Sequence, residues 1–316
     1  VLAARQKQCV LAPPPDTGQI AAGRKERTMA GTIRLGTAGW VYEPWRDNFY
    51  PKGLKQKDEL AWSSARLGNI EINATFYSHQ KVASFQNWAA ATPENFVFSV
   101  KGHQFVTHIK RLKDVEIPLA NFFASGVLAL GSKLGPFCWQ LPGNAKYDAQ
   151  RMEAFLNLLP HTPEALVALA SKSEGLKTEP YLDTTGITRI RHAIEVRHES
   201  FAVPGFIEQL RAHNVALVFA DTTEWEYIDQ TADFAYARLQ GAPGAEAYTP
   251  EERAIRGDWL RALAEGRPVG WIYIAGPEDS PPPRDVHAFF VSTDKDNAPH
   301  NARAVMAQLG LAGPGE

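Results

Sequence analysis

Several short β-rich runs end in side chains able to do chemistry: Glu71 and Asn73 in NIEIN, Lys101 closing FVFSVK, Gln140 in FCWQL, Glu195 and Arg197 in IEVR, Asp221 closing VALVFAD, and Arg238 and Gln240 in YARLQ. Carboxylates beside cations suit general acid or base work on a substrate whose anionic group the cations hold. On that reading Glu71 or Glu195 is the acid or base, Asp221 orients one partner, and Lys101, Arg197 and Arg238 hold a phosphate or carboxylate. Lys101 has a second use, as an amine that condenses with a carbonyl. Glu71 and Glu195 also form the pair that a glycosidase requires. Glu71, Glu195, Asp221 and His198 are ligand types for a divalent metal, although the neighbouring cations would repel one.

Two loops add to this set. KGHQFVTHIKRLKD gathers Lys101, His103, His108, Lys110, Arg111 and Lys113, a local positive cluster that fits an anion and equally fits a solvated helix start. GWVYEPWRDNFYP carries Trp40, Tyr42, Trp45, Phe49 and Tyr50, which could stack on a sugar or base. A hydrophobic lid is the simpler reading of those aromatics.

The elements that must position these residues follow from period. Strand candidates begin at Ile33, Asn69, Phe96, Phe137, His192, Val215, Phe234 and Val286, eight in all, separated by stretches such as Leu54 to Leu67, Val82 to Ala91, Met152 to Leu159 and Phe206 to His213 with apolar residues three or four apart. Such alternation predicts parallel βα units and a (β/α)₈ barrel. An open doubly wound sheet would carry the same pattern, but no glycine-rich turn follows the first strand. Pro163 to Thr185 reads as an extra helix and loop. Pro268 to Asp285 reads as an insertion in which WIYIAG is a candidate additional strand.

Strand side chains alternate, so residues two apart share a face. Glu195 and Arg197 therefore oppose Ile194 and Val196, and Glu71 and Asn73 oppose Ile70 and Ile72. With the aliphatic set against the helices, the polar set faces the barrel axis, joined by Ser99 and Lys101, Cys138 and Gln140, and Tyr236, Arg238 and Gln240. The C-terminal ends of barrel strands are where catalytic groups sit. A structural network in which the charges satisfy one another is the competing explanation.

Composition limits the function classes. The 316 residues are 44% hydrophobic with a formal net charge of −2, which leaves no global positive field to attract nucleic acid or an anionic membrane. Two cysteines, Cys9 and Cys138, provide neither a disulfide framework nor a paired-cysteine zinc site, and a cytoplasmic location is expected. No apolar run reaches the roughly 18 to 20 residues of a membrane span. Residues 1–28, with Pro13-Pro14-Pro15, read as a disordered leader ahead of Met29, and 29–316 as the barrel domain. Motifs of P-loop, serine-elbow and zincin type are absent.

The ordered segments LGTAGWVYEPWRDNFYP, IEINATFY, FVFSVKGHQFVTH, LGPFCWQLP, IEVRHESF, YARLQG and NAPHNA, spread from about Ile33 to Leu309, resemble the family catalogued as domain of unknown function 72, also called YecE-like. The resemblance implies a TIM barrel and assigns no activity. This sequence departs from the family pattern at Gln240, where a histidine is usual, and at Ser292-Thr293-Asp294, where an asparagine-aspartate pair is usual. Glutamine hydrogen-bonds but does not shuttle a proton near neutral pH.

The expected function is therefore an enzyme, a hydrolase or lyase, acting on a small anionic, sugar or phosphate-bearing ligand. Glu71, Glu195, Asp221 and Lys101 are the catalytic candidates. Asn73, His103, His108, Gln140, Arg197, Arg238, Gln240, Trp40 and Tyr77 are the substrate-binding candidates. No cofactor is implied beyond the divalent metal option, and no oligomeric state is assigned. The alternative is a non-catalytic module that binds a nucleotide, nucleic acid or phosphorylated partner through the basic loop.

Overall fold

The computed structural model describes residues 31–221, 225–241, 248–291 and 295–315. The leader and the Ser292-Thr293-Asp294 departure lie outside the described residues. Eight parallel strands, β1 (Ile33–Ala38), β2 (Asn69–Ile72), β3 (Val97–Lys101), β4 (Leu134–Gln140), β5 (His192–Glu195), β6 (Ala216–Ala220), β7 (Phe234–Leu239) and β8 (Asp285–Phe290), pair in sequence order. The ring shuts where β8 pairs with β1, Val286 opposite Ile33 and Phe290 opposite Thr37. The barrel expectation holds, and each strand falls where the period placed it.

Helices α1 (Glu59–Arg66), α2 (Ala74–Tyr77), α3 (Val82–Ala90), α4 (Glu116–Ala124), α5 (Ala149–Leu156), α6 (Pro163–Ala170), α7 (Pro204–Ala212), α8 (Pro250–Ala264) and α9 (Ala298–Leu309) surround the strands. Their apolar stripes meet the outward aliphatic and aromatic residues of the strands, Ile70, Ile72, Phe98, Val100, Phe137, Trp139 and Ile194 among them. The start of α8 is held by a capping box in which the Thr249 side chain accepts from the Glu252 amide and Glu252 accepts from the Thr249 amide.

Inside the ring, Cys138, Ala193, Ala216 and Val218 face Phe234, Tyr236 and Phe289. Small residues on β5 and β6 thus make room for the rings of β7 and β8, which fill the interior as a packed core. Burial pushes the Cys138 thiol well up, so it is a small apolar filler rather than a nucleophile.

WIYIAG is not an additional strand. A closed barrel offers no free edge, so this segment finds one isolated bridge, Ile272 to Tyr227, and otherwise docks on the chain that follows β6. There Asp229 accepts from the Ile274 and Ala275 amides at 2.7 and 2.9 Å. Among the described residues no helix separates β6 from β7, and these two segments cover that side of the sheet. No helix of the described residues is long and apolar enough to cross a membrane.

The aromatic loop after β1 follows the lid reading for three of its five rings. Trp45, Phe49 and Tyr50 are buried against α1, with the Tyr50 hydroxyl 2.9 Å from Ser63 Oγ and the Trp62 indole donating to the Phe49 carbonyl at 3.1 Å.

Candidate active site

Strand alternation delivers one residue from each of four strands to a buried layer at the C-terminal end of the barrel. The Arg238 guanidinium, from β7, lies at its centre. Nη1 donates to Glu195 Oε2 of β5 at 2.5 Å and to Gln140 Oε1 of β4 at 3.3 Å, and Nη2 donates to Glu71 Oε1 of β2 at 3.1 Å. Glu71 and Glu195 are fully buried and Arg238 nearly so. Each ion would cost several kcal/mol to desolvate alone, and here each carboxylate is offset by the shared guanidinium.

Arg197, just past β5, closes the layer from above. Its Nε and Nη2 donate to Glu195 Oε1 at 3.0 and 2.8 Å, while 28% of its side chain stays open to solvent. Burial alone would push the Glu195 carboxyl up, but Arg238, Arg197 and Lys101 together outweigh it and hold the group down to about 2. Glu195 is thus a fixed negative charge at neutral pH, suited to electrostatic work and not to donating a proton.

Beneath Arg238, the Tyr236 hydroxyl donates to Glu71 Oε2 at 2.6 Å and lies 2.7 Å from Ser99 Oγ, which donates to the Pro136 carbonyl at 2.6 Å. Tyr236 and Ser99 read from sequence as inward-facing, but their contact with Glu71 needed the ring to close. The guanidinium of Arg238, and no cleft, occupies the gap between Glu71 and Glu195, which removes the geometry of a glycosidase pair.

Lys101, at the end of β3, differs from the other charges. Among the described residues no carboxylate lies within ion-pair distance of its ammonium, which sits 4.7 Å from the centre of the Phe76 ring. Burial and the nearby Arg238 lower its pKa against the opposing pull of Glu71 and Glu195. The same Phe76 ring meets the His108 imidazole edge to face at 4.9 Å. Phe76 therefore sets the place of both an amine and an imidazole, a role that nothing in its sequence position announces.

Other candidates are not brought into this layer. Asp221 turns toward the β7 side: Oδ1 accepts from the Gln240 and Gly241 amides at 2.6 and 3.2 Å, and Oδ2 from the Tyr248 hydroxyl at 2.7 Å and Arg256 Nε at 3.0 Å. It fixes the chain leaving β7. Gln240 follows that chain, its Nε2 buried without a hydrogen-bond partner among the described residues. His198 bonds Ser200. Among the described residues no three His, Cys, Asp or Glu side chains converge as a metal-holding group, and the oxygens of Glu71, Glu195 and Asp221 are already engaged.

Two cavities flank the mouth. One of about 780 Å³ is bordered by Trp40, Tyr42, Asn73 and Trp88, with Trp40 edge to face on Trp88 at 5.3 Å. The other, about 1060 Å³, is bordered by His79, His103, Phe105, Lys110 and Lys177. His103 packs on His79 at 4.8 Å, and burial lowers the pKa of both. Tyr77 stands 70% exposed on the rim.

The basic loop after β3 is not a simple helix start. Phe105–Ile109 forms a π-helical turn, and Arg111, Leu112 and Asp114 then take φ of 49, 65 and 51°, the left-handed region. Each such non-glycine residue costs on the order of 1 kcal/mol, strain that tends to collect where function holds it in place.

This architecture has known counterparts. A family model described as "Protein of unknown function DUF72" matches residues 34–315. A DUF72 family protein from Thermotoga maritima MSB8 superposes with a TM-score of 0.66 at 24% identity, covering 88% of this chain and 99% of that one. Another from Enterococcus faecalis V583 gives 0.61 at 16% identity, covering 90% and 100%. The UPF0759 protein YunF of Bacillus subtilis (strain 168) is 32% identical over 79 residues, a match spanning 25% of this chain and 27% of that relative's length. With its eight-stranded ring matched from end to end by the family model, the chain belongs to the DUF72 family of proteins of unknown function.

Proposed function

We propose that the barrel mouth is the active site of an enzyme, of hydrolase or lyase type, acting on a small anionic substrate that bears a phosphate, carboxylate or sugar-linked anion. The observation that carries this reading is the Lys101 ammonium, left without a carboxylate partner among the described residues beside two glutamates that are both committed to Arg238. Three cations against two carboxylates leave the layer positive, and Lys101 and Arg197 are the members with reach toward solvent. An incoming anion supplies the missing charge and replaces water around Lys101.

In this arrangement Glu195 keeps the Arg197 fork in register, Arg238 and Gln140 hold the floor, and His108 stands at the edge of the anion's seat. Glu71 is the second catalytic carboxylate, its two oxygens held by Arg238 and Tyr236. Calorimetric titration with inorganic phosphate tests the seat: binding should weaken at least about tenfold in Lys101→Ala and Arg197→Ala, the loss of roughly one charged hydrogen bond each. Unchanged affinity in both variants refutes it.

The exposed Tyr77 and Phe105 beside Lys110 support the second reading, a binding module for a nucleotide or phosphorylated partner. Charge reversal at Lys110 and Lys113 that abolishes binding while Lys101→Ala does not would favour that reading.

A further inference from the structure

The geometry points to Lys101 as a covalent amine: we infer that the site takes a substrate whose anionic group lies next to an aldehyde or ketone, and that Lys101 condenses with that carbonyl. The inference deepens the anionic-substrate reading and rests on it. A site meant only to grip an anion is served by guanidinium forks, which stay charged and present fixed paired donors. Arg197 already supplies one at the solvent side of the layer. A lysine adds what they cannot, a nitrogen that can lose its proton and attack.

The surroundings make that proton easier to lose than from a solvated lysine. Lys101 has no carboxylate partner to hold its charge among the described residues, it is half-buried, and Arg238 stands close enough to repel it. The Phe76 face, 4.7 Å away, is its one aromatic neighbour among the cation–ring contacts of the described residues, and an uncharged ring does not pin the proton as a carboxylate would.

In the reaction the Nζ lone pair forms the C–N bond and the carbonyl oxygen takes up a proton. That proton is, in balance, one of the two amine hydrogens; the hydroxyl then leaves with the second as one water, giving an imine that a proton from solvent converts to the iminium. No oxidant or reductant enters, and hydrolysis reverses the step. The His108 imidazole, on the same Phe76 ring and bonded through Nδ1 to Thr107 at 2.9 Å, carries protons for the dehydration through its other nitrogen.

The full chain is incubated at neutral pH with pyruvate or with dihydroxyacetone phosphate and sodium cyanoborohydride, and adducts are mapped by peptide mass spectrometry. Labelling at Lys101 should exceed that at the exposed Lys113, the direction set by burial and the neighbouring Arg238. It should fall when inorganic phosphate competes and vanish in Lys101→Arg. Labelling at Lys101 no greater than at Lys113, with phosphate still bound, overturns the covalent role and leaves the anion seat standing. Absence of both labelling and phosphate binding overturns both.

Discussion

Arg238 of β7 and Glu195 of β5 meet across the barrel interior at 2.5 Å with almost no solvent on either side chain. The same guanidinium also holds Glu71, so its removal strands two buried carboxylates at once. Arg238→Met should cost about 3–5 kcal/mol in urea unfolding, the range for breaking a buried pair. A loss below about 1 kcal/mol would mean that the layer is solvated.

Acid should weaken the fold partly through Glu195. Its folded pKa, about 2, lies below the ordinary 4.5, so its contribution is complete above about pH 4.5 and is lost as pH falls toward 2. The stability gap between wild type and Glu195→Gln should therefore narrow across that window. Parallel curves in urea titrations from pH 5 to 2 would contradict this.

His192 acts in a neighbouring window. The Trp139 indole donates to its Nδ1 at 3.2 Å, so Nε2 carries the hydrogen that meets the Pro160 carbonyl at 2.7 Å. Burial holds this neutral ring down to about 3 from 6.5. An imidazole that protonates more readily when unfolded stabilises the fold above about pH 6.5 and loses that contribution as pH falls toward 3. His192→Gln, which keeps one donor and one acceptor, should flatten the stability profile between those limits. Thermal melts across the range measure it.

Asp221 should prove to be a latch for the chain after β7. Asp221→Ala removes the acceptor for two amides, Tyr248 and Arg256, and should destabilise by about 2–3 kcal/mol. Hydrogen exchange at Gln240 and Gly241 should quicken more than at β7 itself. Uniform exchange across β7 and its exit would count against a local latch.

Period made the eight parallel βα units legible, and Ile70 and Ile72 against Glu71, or Ile194 and Val196 against Glu195, fit a barrel with helices outside and polar groups within, while the open-sheet alternative shared that pattern until β8 met β1. The same alternation placed Lys101, Gln140 and Arg238 correctly. It could not say which charges neutralise which, since Arg238 and Glu71 are 167 residues apart and meet only through closure of the ring. Asp221 was misleading for the same reason: a strand end specifies a location, while its direction was decided by Arg256 and Tyr248 on a later segment. WIYIAG has strand composition but no edge to join, and composition cannot report that the edges are used up.

The row from Glu71 through Tyr236 and Ser99 to the Pro136 carbonyl has an odd proton inventory. Its contacts measure 2.6, 2.7 and 2.6 Å, yet the two hydroxyls own only two hydrogens for three gaps. With Tyr236 facing Glu71 and Ser99 facing Pro136, the gap between the two hydroxyl oxygens is empty of hydrogen. Tyr236 and Ser99 thus donate away from each other, one to the strand-two carboxylate and one to the strand-four backbone. Two hydroxyls facing opposite ways tie β2, β3, β4 and β7 together through side chains alone, a cross-brace inside the ring that the strand ladders do not supply.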